Sequence, residues 1–155
     1  MEEKKIELKF NILKTDELSA DDQRLRDMAI HAAGRAYAPY SNFHVGAVLL
    51  LKDGTIVEGN NQENVAYPSG LCAERVALFS AGASNPDVPV VSLAIVAMKN
   101  GQIQSAISPC GGCRQVMLET EQRYGYPIRI LLCGYDQTII IPSVQHLLPF
   151  SFSKM

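Results

Sequence analysis

The stretch Gly70-Leu71-Cys72-Ala73-Glu74-Arg75 places a thiol, a carboxylate and a guanidinium within four residues. Apolar residues follow at helical spacing, so the pattern predicts a helix from Cys72 to about Ala83. Residues two apart lie nearly on opposite faces of a regular helix. Cys72 and Glu74 can therefore approach one point only if Cys72 caps the helix and Glu74 lies in its first turn.

Helix and strand signals alternate before this stretch. Ser19, followed three residues later by a carboxylate, predicts the start of a helix whose apolar stripe runs from Leu25 to Ala36. Asp53-Gly54 separates two apolar runs and is a strong hairpin signal. The two runs predict antiparallel strands at Val45–Leu51 and Thr55–Gly59.

The same alternation continues after it. Apolar runs predict three more strands, at Val90–Met98, Ile128–Cys133 and Thr138–Ile141. Ser108-Pro109 opens a third helix that runs to about Tyr124. We therefore predict an α/β fold, with a five-stranded mixed sheet between helices in a three-layer α/β/α sandwich. The hairpin makes part of the sheet antiparallel, and the later strand–helix–strand units favour parallel pairing.

Composition limits the classes of function. The chain has 155 residues, 47% of them apolar, and a net charge of −2. No basic stripe stands out, so we expect no nucleic-acid polymer as partner. The longest apolar runs, such as Val45–Leu51, are too short to span a bilayer, and the N-terminus lacks the apolar segment of a secretory signal. We expect a cytoplasmic protein without a membrane partner.

The first 18 residues form an extension of unassigned role. Apolar side chains alternate with polar ones in it, at Ile6, Leu8, Phe10 and Ile12. This period of two fits a short half-buried strand, and a poorly ordered extension fits equally well. We divide the chain into this extension, residues 1–18, and one domain, residues 19–155.

A second cysteine motif lies at the predicted start of the third helix. Cys110 and Cys113 form a C-x-x-C motif after Pro109, where the free N–H groups of a helix N-terminus lower thiol pKa. The motif alone fits a redox pair or half of a structural zinc site. Cys133 could be a fourth ligand, but it lies in an apolar run, where cysteine is most often a small buried hydrophobe. Together with Cys72, the motif gives three thiolates and leaves one coordination position open, which is typical of catalytic zinc.

A zinc ion with one open coordination position would explain why Glu74 and Arg75 lie beside Cys72. Zinc in such a site activates water, and the reaction then needs a group that takes and returns protons, which we assign to Glu74. Zn²⁺ with three thiolates has a net charge of −1, so we expect Arg75 to donate hydrogen bonds to the ligand sulfurs. The alternatives are a first-turn acid favoured by the helix dipole and a solvent-facing arginine.

Cys72-Ala73-Glu74 and Pro109-Cys110-Gly111-Gly112-Cys113 together resemble the signature of zinc-dependent nucleobase deaminases. From about Ser19 to Phe152 the chain resembles the small, all-cysteine cytidine deaminases; residues 40–47, 58–64 and 113–115 carry further similarity. The resemblance implies a cytidine deaminase-like fold and a homotetramer that binds Zn²⁺. It also implies hydrolytic deamination of cytidine and 2′-deoxycytidine in pyrimidine salvage, with a small nucleoside as the binding partner.

The resemblance also assigns substrate contacts. The family pattern G-x-N-x-E-N is met by residues 59–64, which gives Asn61 and Glu63 the ribose hydroxyls. Phe43 corresponds to the aromatic that stacks on the pyrimidine, and the backbone of Ala73 to the group that orients the base edge. Tyr67 and Phe152 correspond to aromatics that the family supplies across a subunit interface.

Departures from the family leave specificity open. Val65 replaces a smaller alanine beside the pocket, and the Pro68–Gly70 loop also differs from the commoner pattern. Deamination of another aminopyrimidine nucleoside, such as blasticidin S, is one alternative function. A non-catalytic zinc module and an editing enzyme for nucleic acids are two others; Glu74 argues against the first and the missing basic surface against the second.

Overall fold

Residues 1–153 are described by the computed structural model, and the final two residues of the predicted domain lie outside this range. The strands are β1 (Asn11–Lys14), β2 (Phe43–Leu51), β3 (Ile56–Asn60), β4 (Val90–Lys99), β5 (Gln102–Ile103), β6 (Arg129–Cys133) and β7 (Gln137–Ile141). The helices are α1 (Ala20–Ala33), α2 (Ala73–Ser84) and α3 (Gly111–Tyr124). Short 3-10 helices lie at Thr15–Glu17, Tyr67–Ser69 and Val144–His146.

All the strands join one mixed sheet in the order β1-β7-β6-β4-β2-β3, with β5 paired to β4. β2 and β3 form the predicted antiparallel hairpin, and Gly54 takes the left-handed conformation at its turn, with φ of 89°. β4 and β6 are parallel across the α3 crossover, whereas β6 and β7 are antiparallel. The predicted mixture of parallel and antiparallel pairs is confirmed.

The two faces of the sheet bury different helices. Side chains alternate between faces along each strand, so neighbouring residues enter different clusters. Val48, Ala94 and Leu131 pack with Leu25 and Ala29 of α1. On the other face, the strand residues Leu49, Leu93, Ile95, Ile130 and Leu132 pack with residues of α2 and α3. This arrangement confirms the three-layer α/β/α sandwich.

The predicted strand count is too low, since the sheet has seven strands rather than five within residues 1–153. The five predicted strands correspond to β2, β3, β4, β6 and β7, each within two residues at either end. The additional strands are the two-residue β5 and β1, which adds to the free edge of β7. Within residues 1–153, no helix combines the length and apolar character needed to cross a membrane.

The predicted half-buried strand over residues 6–12 is wrong, because the strand begins only at Asn11. The register pairs Asn11 with Ile140, so Lys9 would lie opposite Pro142 if the ladder continued. Proline has no N–H to donate, which ends the pairing there. Lys9 instead donates its backbone N–H to Nδ1 of His146, at 3.1 Å. The apolar side chains of the segment are exposed, at Ile6, Leu8, Phe10 and Ile12.

Candidate active site

Two helix N-termini meet at the candidate site. Cys72 is the N-cap of α2, with φ of −69° and ψ of 153°, and Glu74 lies in the first turn behind it. Cys110 is the N-cap of α3, and its sulfur accepts a hydrogen bond from the backbone N–H of Cys113. The helix therefore begins after Cys110 rather than at Pro109. The cap position predicted for Cys72 is present.

The three sulfurs are spaced to hold a single metal ion. The Sγ atoms of Cys72, Cys110 and Cys113 all lie within 4.8 Å of one another, and those of Cys72 and Cys110 are 3.9 Å apart. Zinc lies about 2.3 Å from thiolate sulfur, which places two tetrahedral ligands about 3.8 Å apart. The donor set and its spacing therefore fit Zn²⁺.

Cys133 lies apart from this cluster. It is buried in β6, where its thiol donates to the carbonyl oxygen of Leu131 at 3.7 Å. Burial raises the pKa of Cys133 to about 11, which disfavours the thiolate that a metal requires. Among residues 1–153, the groups that can hold a metal ion are the three cysteines of the cluster. A four-cysteine structural site is not formed.

The cluster favours thiolate at Cys72. A hydrogen bond from the Cys113 thiol, and further ones from Arg75 and Cys110, lower the pKa of Cys72 to about 5. The same interaction with Cys72 raises the pKa of Cys113, because the Cys113 proton is held between the two sulfurs. The N-terminal ends of α2 and α3 add positive potential at the same point.

Arg75 is a cation in direct contact with the sulfur cluster. Its Nη2 donates to Cys72 Sγ at 3.6 Å, and hydrogen bonding to Cys72 raises the pKa of the guanidinium. The buried Nε of Arg75 has no hydrogen-bond partner within residues 1–153. One end of the side chain is therefore directed at the Cys72 sulfur, while its Nε is buried.

Glu74 is a carboxyl group removed from solvent. The residue is 4% exposed, although glutamate is rarely buried without a partner. Burial raises the pKa of Glu74, and the neighbouring thiolate of Cys72 raises it further. A carboxyl with a raised pKa beside a metal site has the properties of a general acid and base.

A pocket of about 530 Å³ opens beside the cluster. Its volume suits a small organic ligand. Five of the predicted site residues line it, namely Asn61, Glu63, Tyr67, Cys72 and Arg75. The others in the wall are Tyr40, Ser41, Gln62, Asn64, Gly70 and Leu71.

Three predicted substrate contacts lie outside the pocket wall of the single chain. Phe43 is partly buried and packs against the core, and Ala73 is fully buried at the start of α2. Phe152 is 87% exposed, and its carbonyl oxygen accepts a hydrogen bond from Gln115 Nε2 at 2.8 Å. Val65 is 79% exposed and is also absent from the wall.

Asn61 ties the end of β3 to the start of β2. Its Oδ1 accepts from the backbone N–H of Val45 at 2.7 Å, and its Nδ2 donates to the carbonyl of Phe43 at 2.9 Å. The amide is therefore held rigidly at the pocket edge.

Tyr40, Ser41 and Gln62 are wall residues that were not predicted as site residues from the sequence, and Asn64 and Leu71 lie in predicted motifs without an assigned role. Tyr40 and Ser41 belong to a stretch that carries family similarity, which is the signal that could have found them. Their place beside Glu63 depends on the turn before β2 folding over the end of β3.

Comparisons with known proteins identify the family. Residues 19–125 match the sequence model described as "Cytidine and deoxycytidylate deaminase zinc-binding region". The chain is 48% identical over 125 residues to a cytidine deaminase of Halalkalibacterium halodurans, covering 81% of this chain and 82% of that protein. It is 39% identical over 142 residues to a cytidine deaminase of Sporosarcina psychrophila, covering 92% and 93%.

A solved structure agrees with these sequence matches. The crystal structure of a cytidine deaminase from Burkholderia pseudomallei superposes with a TM-score of 0.72 at 39% identity, covering 84% of this chain and 98% of that one. The shared fold and the extent of the sequence identity lead to one assignment: the chain belongs to the cytidine deaminase family.

Proposed function

We propose that this protein hydrolyses the C4 amino group of cytidine and 2′-deoxycytidine, giving the corresponding uridine and ammonia. The observation that carries the proposal is a three-sulfur cluster, with a buried carboxyl beside it, at the wall of a nucleoside-sized pocket. Its relatives at 39–48% identity are cytidine deaminases, which supports the same reaction here.

Cys72, Cys110 and Cys113 would hold Zn²⁺ as an all-cysteine set. When bound there, zinc supplies a Lewis acid that makes water a nucleophile at neutral pH. Arg75, which donates to Cys72 Sγ at 3.6 Å, offsets the negative charge of the thiolates together with the two helix N-termini. The hydrogen bond from Arg75 favours the thiolate form of Cys72, which ligation requires.

Glu74 moves the protons of the reaction. It accepts a proton from the attacking water and delivers it to N3 of the pyrimidine, and it transfers the second proton to the departing amino group. Its burial supports both steps. Burial raises the pKa of the carboxyl towards neutral pH, where the group can both accept and donate a proton. The overall change is addition of water and loss of ammonia at C4.

The remaining residues bind the nucleoside. Asn61 and Glu63, both in the pocket wall, bind ribose hydroxyls. Phe43 stacks on the base and the Ala73 backbone orients its polar edge. Ala73 is fully buried beside Cys72, and Phe43 packs against the same hydrophobic core as Cys72.

We further propose a homotetramer in which Tyr67 and Phe152 contact the site of a neighbouring subunit. Tyr67 is 80% exposed and Phe152 87% exposed in a single chain. Aromatic side chains at that exposure suit contact with a partner chain. A mass measurement in solution tests the assembly directly. The free cysteines suit a cytoplasmic location, where thiols stay reduced.

Turnover of cytidine, 2′-deoxycytidine and blasticidin S, followed by absorbance on one sample of known zinc content, tests the function. We expect the first two to be deaminated by protein that contains about one zinc per chain. Zinc-loaded protein that turns over none of the three would contradict the proposal. Deamination of blasticidin S alone would replace the proposed substrate.

A further inference from the structure

The carboxylate of Glu63 is held by a single turn that precedes β2. Oε2 accepts the backbone N–H groups of Tyr40, at 2.9 Å, and of Ser41, at 3.3 Å. The hydroxyl of Ser41 donates to Oε1. Successive backbone N–H groups that converge in this way form a small concave site for an anion.

The turn itself is fixed in place. The backbone N–H of Asn42 donates to the carbonyl of Ala38 at 3.1 Å, and Asn42 takes a left-handed conformation with φ of 53°. Its Nδ2 donates to Oδ1 of Asn100 at 2.6 Å, and Asn100 is also left-handed, with φ of 52°. Asparagine tolerates this conformation better than most residues. The donors to Glu63 are therefore anchored to the turn after β4.

The hydroxyl of Ser41 serves two neighbours. Its oxygen accepts from the backbone N–H of Phe43 at 3.0 Å while its hydrogen is given to Glu63. A hydroxyl has one hydrogen to donate and a carboxylate can only accept, so the direction of the second bond is fixed. Ser41 thus joins the residue assigned to the ribose with the residue assigned to the base.

A count of acceptor sites shows what remains free. A carboxylate offers about four lone-pair sites, two on each oxygen. Both sites on Oε2 and one on Oε1 are taken by Tyr40 and Ser41. One acceptor site is left, on Oε1, in a residue that lines the pocket. The Glu63 carboxylate can therefore accept one further hydrogen bond from a ligand in the pocket.

We propose that Ser41 is a positioning residue that fixes the plane of the Glu63 carboxylate, so that its one free acceptor site on Oε1 receives a single ribose hydroxyl. The inference rests on the proposed ribose contact of Glu63. It assigns Ser41 a part in recognising the sugar, and none in recognising the base. The hydrogen bond from Ser41 also lowers the pKa of Glu63, which favours the charged form of the carboxylate.

The test compares cytidine with 2′,3′-dideoxycytidine, which lacks both hydroxyls on the ribose ring. For each variant, kcat/KM is measured for cytidine, and the inhibition constant of dideoxycytidine is measured from its competition with cytidine turnover. Ser41→Ala should lower kcat/KM for cytidine about tenfold, as expected for a lost hydrogen bond to a charged group. Its inhibition constant for dideoxycytidine should stay within about twofold.

Two variants control for a general structural effect. Ser41→Thr keeps the hydroxyl and should restore most of the cytidine efficiency. Ser84→Ala removes an exposed hydroxyl at the end of α2 and should leave both constants unchanged. Equal losses for cytidine and dideoxycytidine in Ser41→Ala would show that the serine acts through Phe43 or through folding, and would overturn the proposal. No loss for either ligand would overturn it as well.

Glu63→Gln separates this inference from the ribose assignment beneath it. It should lower efficiency for cytidine and spare dideoxycytidine binding, and adding Ser41→Ala should then cost little more. If Glu63→Gln does not discriminate the two ligands, the ribose contact fails and the role of Ser41 fails with it. If Glu63→Gln discriminates them and Ser41→Ala does not, only the role of Ser41 is wrong. Cytidine turnover by the unsubstituted protein is the separate check on the reaction.

Discussion

Gly59 of β3 lies directly against Ala73, the first residue of α2. A Cβ at position 59 would come within 2.5 Å of the carbonyl oxygen of Ala73 and 2.6 Å of the backbone nitrogen of Ala77. Both contacts are with backbone, which cannot turn aside as a side chain does. The missing side chain of Gly59 therefore sets how deeply the N-terminus of α2 sits, and with it the positions of Cys72 and Glu74.

Gly59→Ala should move the start of α2 away from the sheet. We expect a loss of about 1–3 kcal/mol in the free energy of unfolding, as for overpacked cores. Zinc content and cytidine turnover should fall together, because Cys72 shifts relative to Cys110. Thermal unfolding, zinc analysis and turnover measure the three effects.

The matched control for this prediction is Gly82→Ala on the same helix. A Cβ there meets only the end of the Arg123 side chain, at 3.4 Å. Alanine is the better helix former, so stability should stay equal or rise by up to about 1 kcal/mol. Full zinc content and normal turnover in Gly59→Ala would show that the close contact does not position the metal ligands.

Arg75→Ala should weaken zinc retention as the pH falls. Arg75 lowers the pKa of Cys72 by hydrogen bonding to its sulfur. Without it the thiol pKa rises, so protons displace zinc at a higher pH. Zinc content after dialysis at stepwise lower pH should show this shift. Arg75→Lys should lie between Arg75→Ala and the unsubstituted protein, because lysine keeps the positive charge but lacks the planar donors of the guanidinium. Unchanged zinc content and an unchanged pH–rate curve in Arg75→Ala would exclude the role.

Asp22 of α1 and Arg129 of β6 form a bidentate ion pair, with N–O distances of 2.6 and 2.7 Å. Hydrogen bonding from Arg129 lowers the pKa of Asp22 below its ordinary value of 3.8. Because the pKa of Asp22 is lower in the folded state, its ionised form stabilises the protein at every pH above the pKa of the unfolded chain. This stabilisation is lost as the pH falls through the pKa of the folded state. Asp22→Asn should therefore cost about 1–3 kcal/mol at pH 7.

Denaturant unfolding at several pH values measures this contribution. The stability difference between the unsubstituted protein and Asp22→Asn should shrink as the pH falls below about 4. Asp21→Asn, which changes the exposed neighbour in the same helical turn, controls for the helix dipole. A difference that stays constant down to pH 2 would show that the pair has no ionic component.

Local signals predicted the parts of the site that depend on near neighbours. The cap at Cys72 follows from the two-residue spacing to Glu74, and the C-x-x-C motif marks the start of α3. The hairpin around Gly54 follows from its turn residues. Each of these features depends on a few consecutive residues, so the local sequence is enough to predict it.

Some features that depend on partners distant in sequence were not predicted. Ser41 contacts Glu63 across 22 residues, and nothing in either stretch alone reveals the contact. The alternation of Ile6 to Ile12 indicated a strand, but Pro142, which directly follows the partner strand β7, ends the pairing before most of that segment. The first case depends on how the turn before β2 folds over the end of β3. The second depends on the register between β1 and β7, which the folded sheet sets rather than the local pattern.

The most direct test of the proposed chemistry is zinc content and cytidine turnover measured together on Glu74→Gln. Glu119→Gln, an exposed glutamate on α3, is the matched control and should behave as the unsubstituted protein does. Glu74→Gln should keep a full complement of zinc, because the sulfurs of Cys72, Cys110 and Cys113 are untouched, and should lose about 100-fold or more in kcat. Turnover near the unsubstituted rate by fully zinc-loaded Glu74→Gln would contradict the assignment of Glu74 as the proton carrier.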